Sequence, residues 1–71
     1  MNIFGYTVKR YLLDNGLKQN HIVENSDMTK ANVSQLLNRD NISLDKMLLI
    51  AEALDCDLEI KLVPKSNSRH N

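Results

Sequence analysis

Apolar residues recur at helical spacing in four segments of the chain, and turn-forming residues separate these segments. Gly16 can supply a left-handed C-cap after the first segment, and Thr29 and Ser43 can cap the N-termini of the third and fourth. The pattern predicts helices over about residues 4–15, 18–25, 30–38 and 44–54.

The last of these helices has the clearest stripe, and a change of period follows it. The expected inward residues are Leu44, Met47, Leu48, Ala51 and Leu54. Beyond the helix, Leu58, Ile60 and Leu62 alternate with charged residues until Pro64. Such alternation predicts a half-buried strand at 57–63.

A single strand leaves unpaired backbone donors and acceptors on both of its edges. The simplest solution is antiparallel pairing with the same segment of a second chain, with Leu58, Ile60 and Leu62 as dimerisation residues. Pairing with residues 1–3 of the same chain is the alternative. We therefore expect a mostly α fold in one domain, 1–64, followed by a disordered tail at 65–71.

Length and composition limit the classes of protein that fit. Seventy-one residues make one domain with a small core, and the one cysteine excludes an intrachain disulfide and favours a reducing compartment. No apolar run approaches the roughly 20 residues of a membrane span, and the N-terminus lacks the order of a signal peptide. We expect a cytoplasmic protein without a metal or cofactor, and no catalytic constellation is recognisable.

The net charge is zero, which counts against nucleic-acid binding until its distribution is considered. Residues 1–39 carry five Lys or Arg against three Asp or Glu, whereas residues 40–60 carry one against six. A phosphate backbone responds to the local patch rather than to the total, so the first half of the chain remains a candidate.

Residues 17–37 have the form of a helix-turn-helix: a short helix, a turn and a second helix with apolar residues where the pair must pack. The outward positions of the second helix are small or hydrogen-bonding, and none is acidic. Asn and Gln amides can bind adenine bidentately, Lys can donate to guanine, and Ala31 can touch a thymine methyl. The side chain of Thr29, that of Asn38 and the amides at the helix N-terminus suit phosphates.

The segment LKQNHIVENSDMTKANVSQLLNRDNISLDKMLLIAEAL resembles Cro/repressor-type helix-turn-helix proteins (the XRE family), and the resemblance covers about residues 4–56. It implies a four-helix, lambda-repressor-like domain in which Gln19 and Asn38 touch phosphates while Lys30, Ala31 and Gln35 read bases. The candidate DNA-binding residues are Lys18, Gln19, Thr29, Lys30, Ala31, Asn32, Ser34, Gln35, Asn38 and Arg39.

This sequence departs from the family pattern in the turn, where the family usually has Gly and Asp27 stands here. Asp tolerates a positive φ less well than Gly does, so the turn remains possible at some conformational cost. The C-terminal DLEIKLVPK is similar to the dimerising strand of Cro-like proteins and HipB-type antitoxins. That similarity implies a homodimer whose recognition helices lie roughly 34 Å apart.

Three functions remain open from the sequence. The first is a sequence-specific transcriptional regulator, most simply a repressor, that binds a palindromic operator in double-stranded DNA as a homodimer. The second is an antitoxin-type protein that binds a toxin or other protein partner through its acidic half and uses DNA binding for autoregulation. The third is an interaction domain that does not bind DNA at all.

Overall fold

The computed structural model describes residues 1–65 and contains four α-helices in that range. The helices are α1 (Ile3–Asp14), α2 (Gln19–Glu24), α3 (Lys30–Asn38) and α4 (Leu44–Ala53). The predicted mostly helical, four-helix fold is confirmed. Within the described residues, no helix combines the length and apolar character required to cross a membrane. Except for Lys65, the tail predicted at 65–71 lies outside the described residues.

Local capping fixes where the helices begin and end. The side chains of Thr29 and Ser43 accept hydrogen bonds from Asn32 N at 3.1 Å and Lys46 N at 3.4 Å, so both act as the predicted N-caps. Gly16 has a φ of 67° after the end of α1, where it supplies the predicted left-handed C-cap.

The core lies where α3 packs against α1 and α2, and α4 closes it from the side of α2. Its largest fully buried side chains are Ile22, Val33, Leu37 and Ile50. Burying an aliphatic side chain of this size stabilises a fold by about 1.5–3 kcal/mol relative to leaving it exposed. One aliphatic residue from α2, two from α3 and one from α4 therefore hold the three helices together.

The inward stripe predicted for α4 is partly wrong. Leu44 and Leu48 are 50% and 47% exposed, whereas Ile50 is fully buried and Ala53 is buried. Residues 47–51 are all apolar, so periodicity alone allows more than one inner face for this helix. Packing against α2 selects the face that contains Ile50, and Leu48 is left at the surface.

After α4 and the turn that closes it, residues 56–65 form neither helix nor strand. Asp55 takes a left-handed φ of 58°, and Cys56 N donates to Ala51 O at 2.9 Å, which closes the helix. The neighbouring Cys56 side chain raises the pKa of the Tyr11 phenol above its ordinary value. The start of the C-terminal segment therefore lies beside α1.

The predicted strand at 57–63 forms no ladder within the part of the chain that the structure describes. A ladder needs a neighbouring strand, and residues 1–65 contain none. The alternative of pairing with residues 1–3 is wrong, because Ile3 already belongs to α1 and Asn2 is its N-cap. Pairing with a second chain stays a prediction.

Candidate nucleic-acid interface

α3 has two clearly different faces. Val33, Leu36 and Leu37 are buried in the core, whereas the opposite side of the helix is exposed. We call this opposite side the outer face of α3, and it consists of Lys30, Ala31, Asn32, Ser34 and Gln35. The outer face bears amides, a hydroxyl, a methyl and one ammonium, and the whole of α3 lacks a carboxylate.

The turn between α2 and α3 is held by Ser26 rather than by a glycine. Ser26 Oγ donates to Ile22 O at 2.6 Å and accepts from Met28 N at 3.2 Å. Asp55 is the one non-glycine residue with a positive φ in residues 1–65, so Asp27 does not adopt the left-handed conformation that a glycine in the family's turn suggests. The hydroxyl of Ser26 pairs with backbone groups on both sides of the turn, which needs no left-handed residue.

The N-terminus of α3 presents donors to the surface. Thr29 Oγ1 accepts from Asn32 N, and Thr29 O accepts from Val33 N at 3.0 Å. Within residues 1–65 the structure gives the N–H groups of Lys30 and Ala31 no protein acceptor. Free N–H groups at the positive end of a helix dipole, beside an ammonium group, are suited to bind an anion such as phosphate.

The C-terminus of α3 is tied to the start of α1 by Asn2. Its Nδ2 donates to Leu36 O and to Arg39 O, each at 3.0 Å, and its Oδ1 accepts from Gly5 N. One side chain therefore caps α1 and also satisfies two carbonyls at the end of α3. These hydrogen bonds hold the C-terminus of α3 against the N-terminus of α1.

Lys9 is a surface residue of this interface that the sequence analysis did not identify. Its Nζ donates to Asn38 Oδ1 at 3.1 Å, and Asn38 Nδ2 donates in turn to Ser34 O at 2.8 Å. The spacing of Asn2, Gly5 and Lys9 at i, i+3 and i+7 puts the three on one side of α1, but no pattern in the sequence shows that this side meets Asn38. The amide of Asn38 thus serves partly to position the Lys9 ammonium group.

The remaining predicted residues lie at the ends of neighbouring helices. Lys18 is the exposed N-cap residue of α2 and makes no side-chain cap hydrogen bond, and Gln19 is half-buried in the first turn. Arg39 is the exposed C-cap residue of α3, with extended backbone at φ −70° and ψ 162°. The first half of the fold thus supplies four cationic side chains at or near these helix ends: Lys9, Lys18, Lys30 and Arg39.

Carboxylates lie around a groove between α4 and the C-terminal segment. This open groove has a volume of about 620 Å³, and its lining combines apolar residues with an acidic edge. The apolar members include Leu48, Ala51 and Leu58, and the acidic ones are Glu52, Asp55 and Asp57. The basic and acidic halves of the sequence thus supply different surfaces of the fold.

A family model described as a helix-turn-helix domain matches residues 3–63. The matched range begins with α1, includes all four helices and ends in the segment that follows α4. Searches of curated proteins and of solved structures found no match to the chain. The chain belongs to the helix-turn-helix domain family.

Proposed function

We propose that this protein is a sequence-specific DNA-binding transcriptional regulator of the Cro/repressor type (XRE family). It represses by occupying a palindromic operator as a homodimer in the cytoplasm, without a cofactor and without catalytic activity. The observation that carries this proposal is the outer face of α3, which is exposed and free of acidic residues while the inner face is locked into the core.

The outer face matches the chemistry of base edges in a major groove. The amides of Asn32 and Gln35 can bind adenine in two hydrogen bonds, and Lys30 can donate to guanine. Ala31 leaves room for close approach and offers a methyl to thymine. A major groove about 12 Å wide accepts a helix with side chains of this size.

Residues around the outer face provide contacts to the DNA backbone. Lys9, Lys18 and Arg39 are cations at the ends of α2 and α3 or beside them, and Thr29 adds a hydroxyl at the N-terminus of α3. Gln19 and Asn38 are the predicted amide contacts to phosphate, and Ser34 lies at the edge of the outer face. These contacts position the protein without reading sequence.

The homodimer part of the proposal rests on the C-terminal segment. Ile60 and Leu62 are 69% and 97% exposed in the single chain. Exposed apolar side chains that alternate with charged ones, on a segment without a ladder partner, favour pairing with another strand. A two-fold pair would present two outer faces of α3 to successive turns of one duplex.

The test is selection of bound sequences from a random DNA pool, followed by binding measurements at several salt concentrations. We expect a palindromic site with half-sites about one helical turn apart. If three cations per chain contact phosphates, the slope of log affinity against log salt should be roughly −5 for the dimer. Failure to enrich any sequence, with no binding at low salt, would exclude the DNA-reading function and leave an interaction domain.

A second candidate, an antitoxin-type protein that autoregulates through DNA, is favoured by the groove along α4. Its apolar floor and the carboxylates of Glu52, Asp55 and Asp57 suit a basic, amphipathic partner segment. A toxin gene adjacent to this one and a stoichiometric complex with its product would support this candidate. In that complex Glu52→Lys should weaken partner binding and leave affinity for DNA unchanged.

A further inference from the structure

We infer that the second copy pairs with residues 57–63 in one particular antiparallel register, which is centred on Ile60. This inference rests on the proposed homodimer and extends it by naming which residues face one another. In this register Glu59 of each copy lies opposite Lys61 of the other, and Leu58 lies opposite Leu62.

In the single chain, the backbone of residues 57–64 remains available to pair with another strand. No backbone-to-backbone hydrogen bond joins residues 57–64 to the rest of the described chain. Leu58 is half-buried at the groove beside α4, whereas Ile60 and Leu62, which share its side in a strand, are mostly exposed. The first of the three apolar side chains is therefore partly covered by the fold, and the other two are left to solvent.

Alternation reduces the possible registers to a few. In an antiparallel pair around a two-fold axis, side chains of opposite residues lie on the same face of the ribbon. A two-fold axis normal to the ribbon keeps each side chain on its own face, so an odd-numbered residue cannot lie opposite an even-numbered one, as an axis between two residues would require. The axis must therefore pass through a residue, and only centres at 59, 60 or 61 pair most of the segment.

Charge separates these three registers. A centre at Glu59 puts that carboxylate against its own copy, and a centre at Lys61 does the same with two ammonium groups. The latter also puts Pro64, which has no N–H to donate, opposite Leu58. The centre at Ile60 makes two Glu59–Lys61 pairs of opposite charge and leaves no like charges directly opposite.

The same register also brings the apolar residues together. Ile60 lies on the axis against Ile60 of the other copy, and each Leu62 lies opposite a Leu58 that is already half-buried beside α4. A side chain that is 97% exposed in the single chain thus gains an apolar neighbour next to the groove. Asp57 lies opposite Val63 and has no charged partner.

The register can be tested by cross-linking the full-length chain with Cys56 replaced by Ser, since that is its one cysteine. Single cysteines are then introduced as Glu59→Cys, Ile60→Cys and Lys61→Cys, and the proteins are oxidised mildly. A residue on the axis faces its own copy about 4.5–5.5 Å away, within disulfide reach, whereas positions one residue off the axis meet only diagonally. We expect Ile60→Cys to form the interchain disulfide at least tenfold faster than the other two.

Charge exchange gives an independent measurement, with the dimer dissociation constant obtained by sedimentation equilibrium at low salt. Glu59→Lys and Lys61→Glu alone should each weaken the dimer by roughly 2- to 30-fold, because each puts like charges opposite one another twice. The double variant should restore the parent value. Asp57→Asn is the matched control: it changes nothing in the register centred on Ile60 but weakens the dimer if the centre is Glu59.

The outcomes separate this inference from the proposed function. Fastest cross-linking at position 59 or 61, or a dimer weakened by Asp57→Asn, overturns the register while the dimer stands. A dimer that forms no cross-link at any of the three positions overturns pairing through this segment but leaves DNA reading intact. A chain that stays monomeric and still enriches one DNA half-site overturns both the register and the homodimer.

Discussion

Gly5 of α1 and Leu37 of α3 meet backbone to backbone, without a side chain between them. A methyl group at Gly5 would overlap the carbonyl oxygen of Leu37 and lie 2.9 Å from its carbonyl carbon. Two hydrogen bonds from Asn2 to carbonyls at the end of α3 support the same contact. The backbone of α1 therefore sets the position from which α3 projects its outer face.

Gly5→Ala should lower the free energy of unfolding by about 1–3 kcal/mol, because the added methyl group forces α1 and α3 apart. This loss should appear even though Ala favours a helix interior over Gly by about 0.8–1 kcal/mol. Urea denaturation measures the change. Arg10→Ala, on the exposed side of the same helix, is the control and should alter stability by no more than about 0.5 kcal/mol. A Gly5→Ala protein as stable as the parent would show that the contact is loose.

Gln35 and Lys18 should have separable effects on DNA binding. Gln35→Ala should cost about 1–3 kcal/mol on the selected site and relax base preference at one position. Lys18→Ala should weaken binding to all sequences alike, because it removes a contact to phosphate. Competition binding against single-base variants of the site distinguishes the two. Unchanged site selectivity after Gln35→Ala would make the assignment of Gln35 to base reading wrong.

Lys9 should act as a further contact to phosphate, held in place by Asn38. Lys9→Met should reduce affinity for every sequence and lower the magnitude of the salt slope by about one per chain. Fluorescence anisotropy across a salt series provides the measurement. Arg10→Met, which removes a cation that pairs with Asp14 at 4.0 Å on the same helix, is the control and should leave the slope unchanged. Equal effects of both variants would point to net charge rather than to the position of Lys9.

Asp55→Gly should stabilise the fold. Asp55 holds a left-handed φ of 58°, which glycine adopts without the steric cost that other residues meet, and its carboxylate lies at the negative end of α4. We expect a gain of about 0.5–1 kcal/mol in the free energy of unfolding, measured by thermal and urea denaturation. Asp55→Asn removes the charge but keeps a side chain, so the difference between the variants isolates the backbone contribution. Destabilisation by Asp55→Gly would mean that the carboxylate itself holds the C-terminal segment.

Features that depend on neighbours in sequence were predictable. The caps at Gly16, Thr29 and Ser43 and the two faces of α3 follow from residues within one or two turns. The inner face of α4 was harder, because residues 47–51 are apolar on every side and only packing against α2 selects Ile50.

Contacts between distant residues were the part that sequence patterns did not reveal. Asn2 and Leu36 are 34 positions apart, and Lys9 and Asn38 are 29 apart, so no local period connects them. The way the turn closes was not predicted for a different reason: the family pattern has glycine there, whereas Ser26 closes this turn through its hydroxyl. The strand at 57–63 stays a prediction, because a strand needs a neighbour and residues 1–65 contain none.

The separation between the two faces of α3 has a consequence for how such a protein changes its target. Lys30, Ala31, Asn32 and Gln35 add nothing to the core, so replacing them leaves the packing beneath unchanged. On the proposed function, a few point mutations in the outer face would therefore change which DNA sequence the protein binds without lowering its stability. Exchange of these four side chains would then transfer a sequence preference between two such proteins.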